Sequence, residues 1–199
     1  SIWNFSTGNC ELEEEISEHG GVSINSVVYT SDGGQIISGG DDNSVVFYDL
    51  NEDDVVNRFN GHTASIRSLA LSQDDRRLLS ASSDTSVRVW DTVSSERAHD
   101  FIGHEFNGLD GGDTVGIYNA DDSLILSGSQ DGNIRLWDVE SGLTIQVFQG
   151  HEGAVNALAF SADETTILSA SDDGTVILWD VASGALLVRM SGHETPVSA

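Results

Sequence analysis

The tract "LSASDDGTVILWD", which ends at Asp180, has three earlier counterparts in the same chain. They are "ISGGDDNSVVFYD" ending at Asp49, "LSASSDTSVRVWD" ending at Asp91 and "LSGSQDGNIRLWD" ending at Asp138. Their aromatic residues, Tyr48, Trp90, Trp137 and Trp179, stand 42, 47 and 42 residues apart. Histidines keep the same beat at His19, His62, His104, His151 and His193, each but the first directly after a glycine. This period is the strongest constraint on the fold, because a unit of this size cannot bury its apolar face alone and must stack on its neighbours.

Within the last unit, "AVNALAF" (154–160), "TTILSAS" (165–171), "TVILWDV" (175–181) and "ALLVRM" (185–190) are short β-rich runs. Turn-rich pieces such as "SADE", "DDG" and "ASG" separate them. Four such runs per unit predict one four-stranded antiparallel sheet per repeat, and no helix-period stretch competes. The fold class is all-β.

These units resemble the WD-repeat β-propeller family, which carries Gly-His near the start of a unit and Trp-Asp near its end. The resemblance implies a propeller of four-stranded blades, most often seven to a ring, of which this chain holds four whole units. The expected division is the last two strands of a preceding blade at 1–18, blades at 19–60, 61–102, 103–149 and 150–191, and the start of a further blade at 192–199. A ring completed by another chain is the alternative. The chain departs from the family pattern in blade one, with Glu18-His19 and Tyr48-Asp49. It departs again after the first strand of every unit, where the usual proline is replaced in "TSD", "SQD", "NAD" and "SAD".

Serine, histidine and aspartate in one unit are also the parts of a hydrolytic triad. The resemblance gives them a structural role instead, as hydrogen-bonded tetrads that end on the aromatic residue. These are His19–Ser38–Asp42–Tyr48, His62–Ser80–Asp84–Trp90, His104–Ser127–Asp131–Trp137 and His151–Ser169–Asp173–Trp179. The physics agrees: a buried indole N–H needs an acceptor, and Ser, His and Asp satisfy one another in series. Catalysis needs one exposed nucleophile and an oxyanion site, and does not need four copies on a fixed period. No catalytic residue is therefore assigned.

The 33 acidic residues face only 8 basic ones, all arginine, for a formal charge of −25. Such a surface repels nucleic-acid backbones and anionic membranes. No apolar run is long enough to insert into a bilayer. Cys10 is the only cysteine, which excludes an intrachain disulfide and a thiolate metal cluster; it fits a reducing compartment, and the cytoplasm is the expected location. The Asp-Gly pairs in "SQDGN" and "SDDGT" lack the ligand spacing of a calcium loop and suit tight turns. No metal or cofactor is expected. The acidic run at 11–18 reads as a charged outer edge strand that blocks stray pairing.

The functional expectation is a non-enzymatic scaffold for protein partners, acting as a subunit of a larger assembly. The rival is an enzyme or small-ligand binder that uses the central channel. The resemblance places partner contacts on the rim, at positions flanking the first strand and preceding the tetrad aspartate. Carried over by the repeat alignment, these are Asn25 and Asp41, Arg67 and Ser83, Thr114 and Gln130, and Asn156 and Asp172. A basic protein segment suits so acidic a surface. The glycine-rich loop 105–113 is about five residues longer than its equivalents and reads as an insertion.

Overall fold

A computed structural model of the chain describes residues 2–4, 11–14, 18–105, 114–192 and 196–197. Strands β1 (Ile2–Asn4) and β2 (Glu11–Glu14) form a two-stranded antiparallel sheet. Four four-stranded sheets follow. The first holds β3 (Ile24–Tyr29), β4 (Gln35–Gly40), β5 (Ser44–Asp49) and β6 (Asp54–Asn60). The second holds β7 (Ile66–Leu71), β8 (Arg77–Ser82), β9 (Ser86–Asp91) and β10 (Arg97–Ile102). The third holds β11 (Thr114–Tyr118), β12 (Leu124–Ser129), β13 (Asn133–Asp138) and β14 (Thr144–Gln149). The fourth holds β15 (Val155–Phe160), β16 (Thr166–Ser171), β17 (Thr175–Asp180) and β18 (Leu186–Ser191). Every neighbouring pair is antiparallel and sequential, so each sheet is a meander with strands a to d in chain order. The expected architecture of four-stranded antiparallel blades is what the chain adopts. No helix among the described residues is long and apolar enough to cross a membrane. Cys10, His193 and most of the 105–113 loop lie outside the described residues.

The core lies between blades. Strands b and c alternate their side chains, so one face of each sheet looks forward and the other back. Ile37, Val45, Phe47 and Phe59 of blade one pack on Ile66, Leu69, Leu78 and Trp90 of blade two. The same layer recurs between blades two and three, and between three and four. Trp90, Trp137 and Trp179 each lie against the phenylalanine of strand d in the preceding blade. Ring centroids are 5.2 Å apart for Phe59 and Trp90, 5.7 Å for Phe101 and Trp137, and 5.9 Å for Phe148 and Trp179.

In blades one, two and four, strand a is bulged at its second residue, because the register shifts across Asn25, Arg67 and Asn156. A bulge inserts an unpaired residue and aims it away from the sheet. Asn25 uses that freedom to donate to the Asp41 carboxylate (2.8 Å) and to the carbonyl of Ile66 in the next blade (3.0 Å). Asn156 does the same with Asp172 (2.6 Å) and the carbonyl of Val197 (3.0 Å).

Candidate functional site

The repeated polar residues meet in three dimensions. His62 places Nδ1 2.8 Å from Asp84 and Nε2 2.8 Å from Ser80, and the Trp90 indole donates to Ser80 Oγ at 2.8 Å. His104 stands 3.2 Å from both Asp131 oxygens and 2.7 Å from Ser127, which accepts from Trp137 at 2.8 Å. His151 stands 2.9 Å from Asp173 and 2.7 Å from Ser169, which accepts from Trp179 at 2.8 Å. An ionised carboxylate only accepts, so Nδ1 carries the imidazole proton and Nε2 takes the serine proton. The order of bonds is that of a hydrolytic triad, but the serine lone pair is engaged by the indole. Ser80 and Ser127 are 0% exposed and Ser169 is 1% exposed, so no substrate reaches them.

Blade one differs. His19 lies 2.8 Å from both Asp42 and Ser38, but the Tyr48 phenol gives its proton to Asp53 on the turn after its own strand. A phenol has a single proton, so Tyr48 does not close the series as the indoles do.

The carboxylates are held ionised. Burial alone would raise Asp84, but bonds from His62 and Ser86 outweigh it and hold Asp84 well below the usual carboxylate range. Asp131 is likewise penalised by burial yet pulled down to about 2, mainly by His104. Asp173 is lowered against its burial by Thr175, the Glu152 N–H and His151, and Asp42 by His19 and Ser44.

Sequence reasoning missed two sets of residues that complete these networks. Ser44, Ser86 and Thr175, two residues after the aspartate, donate to it at 2.8, 2.6 and 2.6 Å. Their signal was visible as a hydroxyl at that offset in three of the four units. Four of the eight arginines also occupy one equivalent cross-strand position per blade, two residues before the aromatic or directly opposite it. They are Arg58 opposite Val46, Arg88 opposite Asp100, Arg135 opposite Val147 and Arg189 opposite Ile177. Arg58 lies 3.5 Å from Asp42, and Arg88 and Arg189 each lie 3.9 Å from Asp84 and Asp173. Arg135 stacks over Trp137 at 5.9 Å. The arginine comes from strand d in blades one and four and from strand c in blades two and three, so no fixed sequence position reveals it.

The expected rim positions pair with each other. Besides Asn25–Asp41 and Asn156–Asp172, Arg67 Nε donates to Ser83 Oγ at 2.9 Å, and its guanidinium reaches Asp41 of blade one at 4.0 Å. Asn25, Asp41, Arg67 and Asp172 are exposed, Asn156 and Gln130 are half-buried, and Ser83 is buried. Thr114 departs from its expected place. It is fully buried and pairs with Ser129, because β11 lacks the bulge that carries Asn25, Arg67 and Asn156 to the surface. Thr114 stands 13 residues before its tetrad serine, as Asn25, Arg67 and Asn156 do, so the absent bulge and not the count turns it inward.

A cavity of about 600 Å³ opens between blades two and three on the opposite face, among the a–b and c–d turns. Among its carboxylates, Asp74, Asp121 and Asp138 are held below their ordinary pKa by hydroxyls and N–H groups of their own turns. A general acid or base works best poised near neutrality, and these shifts run the other way. Among the described residues no group of His, Cys, Asp and Glu has the geometry to hold a metal ion.

The family model for the WD domain, G-beta repeat, matches residues 10–49, 53–91, 95–138 and 142–180. The chain belongs to the WD-repeat family. The matched units begin in one blade's outer strand and end on strand c of the next, so a WD repeat is offset from a blade by one strand. The chain is similar to the serine-threonine kinase receptor-associated protein of Gallus gallus, at 36% identity over 45% of this chain and 25% of that one. It is also similar to small ribosomal subunit protein RACK1y of Oryza sativa subsp. japonica, at 33% identity over 47% of this chain and 26% of that one. Pre-mRNA-processing factor 19 of Caenorhabditis elegans is 37% identical over 30% of this chain and 12% of its own length. The matches thus span about a quarter or less of these relatives.

Proposed function

We propose that this WD-repeat chain is a non-enzymatic platform for protein partners within a larger assembly, cytoplasmic in location, that binds through the rim of b–c turns and strand-a bulges. One observation carries the reading. In blades two to four, the Ser–His–Asp groups that could do chemistry are sealed between blades, while Asn25, Asp41, Arg67, Asn156 and Asp172 form the polar surface left in solvent or at its edge. The names of the relatives, a receptor-associated protein, a ribosomal subunit protein and a pre-mRNA-processing factor, support a life in complexes. So acidic a chain favours a basic partner segment, whose approach is steered by charge. Arg67 is the best single anchor, since arginine is enriched where binding energy concentrates.

We infer further that the four blades are part of a closed ring, seven-bladed by the family's habit. Val27 on blade one and Leu168 and Met190 on blade four stand 41–58% exposed, whereas their equivalents Leu69, Leu126 and Phe148 are buried. Apolar faces of this size call for a cover.

Affinity capture with the chain, followed by binding of the recovered partner to Arg67→Ala and Asp172→Ala at low and high salt, tests the rim. Loss of affinity in either variant, weakening with salt, is expected. If both bind like the parent and salt makes no difference, the rim is not the contact surface. Turnover in a hydrolase panel that Ser169→Ala abolishes would overturn the non-enzymatic reading.

A further inference from the structure

The turns between strands a and b carry a second device, unrelated to what binds the rim. Each is a four-residue turn, at Thr30–Gly33, Ser72–Asp75, Asn119–Asp122 and Ser161–Glu164. The fourth N–H donates to the first carbonyl at 2.8, 3.0, 3.3 and 2.9 Å respectively. The fourth residue is left-handed in all four, with φ of +70° at Gly33, +56° at Asp75, +60° at Asp122 and +56° at Glu164. Glycine enters that region freely, and a residue with a Cβ does so only at a cost. Three of the four turns nonetheless carry an acid there.

Those acids reach across the blade junctions. Asp75 Oδ2 of blade two accepts from the Ser31 N–H (2.8 Å) and hydroxyl (2.5 Å) of blade one. Asp122 Oδ2 of blade three accepts from the Gln73 N–H of blade two at 2.7 Å. Glu164 of blade four accepts from the Ala120 N–H (2.6 Å) and the Asn119 amide (3.0 Å) of blade three. The backbone donor is always the second residue of the preceding turn. That is the position at which the family usually has proline, which has no N–H to give. The neighbouring third-position acids Asp32, Asp74, Asp121 and Asp163 are exposed and serve their own turns, whereas Asp75, Asp122 and Glu164 are half-buried.

We propose that the missing prolines and the left-handed acids are two halves of one device: a carboxylate-to-amide staple that locks each of blades two to four to the one before it on the face opposite the rim. One turn supplies the N–H, and the next supplies the acid. The strained backbone at Asp75, Asp122 and Glu164 is held in place by the bond each carboxylate makes. Gly33 has no side chain, so blade one gives a donor to blade two and offers no acceptor of its own. Part of the chain's acidity is therefore structural at blade junctions.

A double-mutant cycle on the full chain tests this, with Glu164→Gly, Ala120→Pro and the pair. Proline suits the second position of such a turn, so it removes the N–H without distorting the backbone. Glu164→Gly also relieves strain, so its own effect on stability is not diagnostic. The expected result is that Glu164→Gly speeds hydrogen exchange of the Ala120 amide by about tenfold or more, as loss of a hydrogen bond to a charged group should. Ala120→Pro should lower the urea midpoint in the parent and leave it unchanged beside Glu164→Gly. Unchanged exchange at Ala120, or an equal effect of Ala120→Pro in both backgrounds, failure to fold in both included, overturns the proposal. The exchange measurement stands whether or not the proline variant folds.

Discussion

Gly150→Ala isolates why a glycine precedes the tetrad histidine. Gly150 has no positive φ, so backbone strain is not the reason. A Cβ there would lie 2.9 Å from Trp179 Cη2, 3.5 Å from Cζ3 and 3.6 Å from Arg189 Nη2. The indole cannot yield cheaply. Trp179 is 1% exposed, its N–H is anchored on Ser169 at 2.8 Å, and Phe148 and His151 flank its ring at 5.9 and 6.0 Å. Gly103 faces the same obstacle, with Trp137 Cη2 at 3.0 Å. Forcing a methyl into a close-packed site costs typically 1–3 kcal/mol, so we expect about 2 kcal/mol. For a chain of this length that is a fall in Tm of roughly 4–8 °C. Blade one supplies the control that nature already made: Glu18 stands before His19 where Tyr48 replaces tryptophan. Hence in a Trp179→Tyr background, which lacks Cη2, the added cost of Gly150→Ala should drop below about 0.5 kcal/mol, near the limit of additivity for independent sites. Thermal and urea unfolding followed by circular dichroism would measure both. An equal loss in the two backgrounds, or none in either, would refute the packing argument.

Acid should weaken the fold through the tetrad aspartates. Asp131 titrates at about 2 when folded and near its ordinary value of about 4 when unfolded, so its stabilisation is complete above the unfolded value and disappears as pH falls through the folded one. Between pH 5 and 3 the loss is about 1 kcal/mol, and Asp131→Asn should flatten the urea-stability profile by that amount; an identical profile in both proteins would count against it. Thr85 closes the b–c turn of blade two at φ +68°, where blades three and four have Gly132 and Gly174 at +75° and +76°. Thr85→Gly should therefore stabilise by about 1 kcal/mol, and a lowered midpoint would show that the turn is not strained.

The period of the aromatic and histidine residues determined the fold class and the four repeated sheets without help, because strand length, turn chemistry and apolar alternation are local properties. It aligned the serines, aspartates and histidines of the repeats, and the resemblance to the WD-repeat family joined them into tetrads, a pairing open to a buried indole, hydroxyl, imidazole and carboxylate because they have few ways to satisfy one another. Gly61, Gly103 and Gly150 were legible as a pattern and opaque as a cause. Only the packed blade shows the tryptophan edge lying against Gly103 and Gly150, and the smaller Tyr48 that accompanies Glu18. The arginines were hidden for a related reason: Arg58 and Arg88 fill equivalent places from different strands, and cross-strand neighbours are not neighbours in sequence. Thr114 keeps the same count from its tetrad serine as Asn25, Arg67 and Asn156, but whether a strand is bulged is decided by its pairing, and β11 pairs with β12 without a bulge. The junction staples lay furthest from view. The sequence displays an absent proline and a surplus of acid as separate oddities. The bond that joins them runs between turns more than forty residues apart, and it exists only once two blades have stacked and brought Ala120 against Glu164.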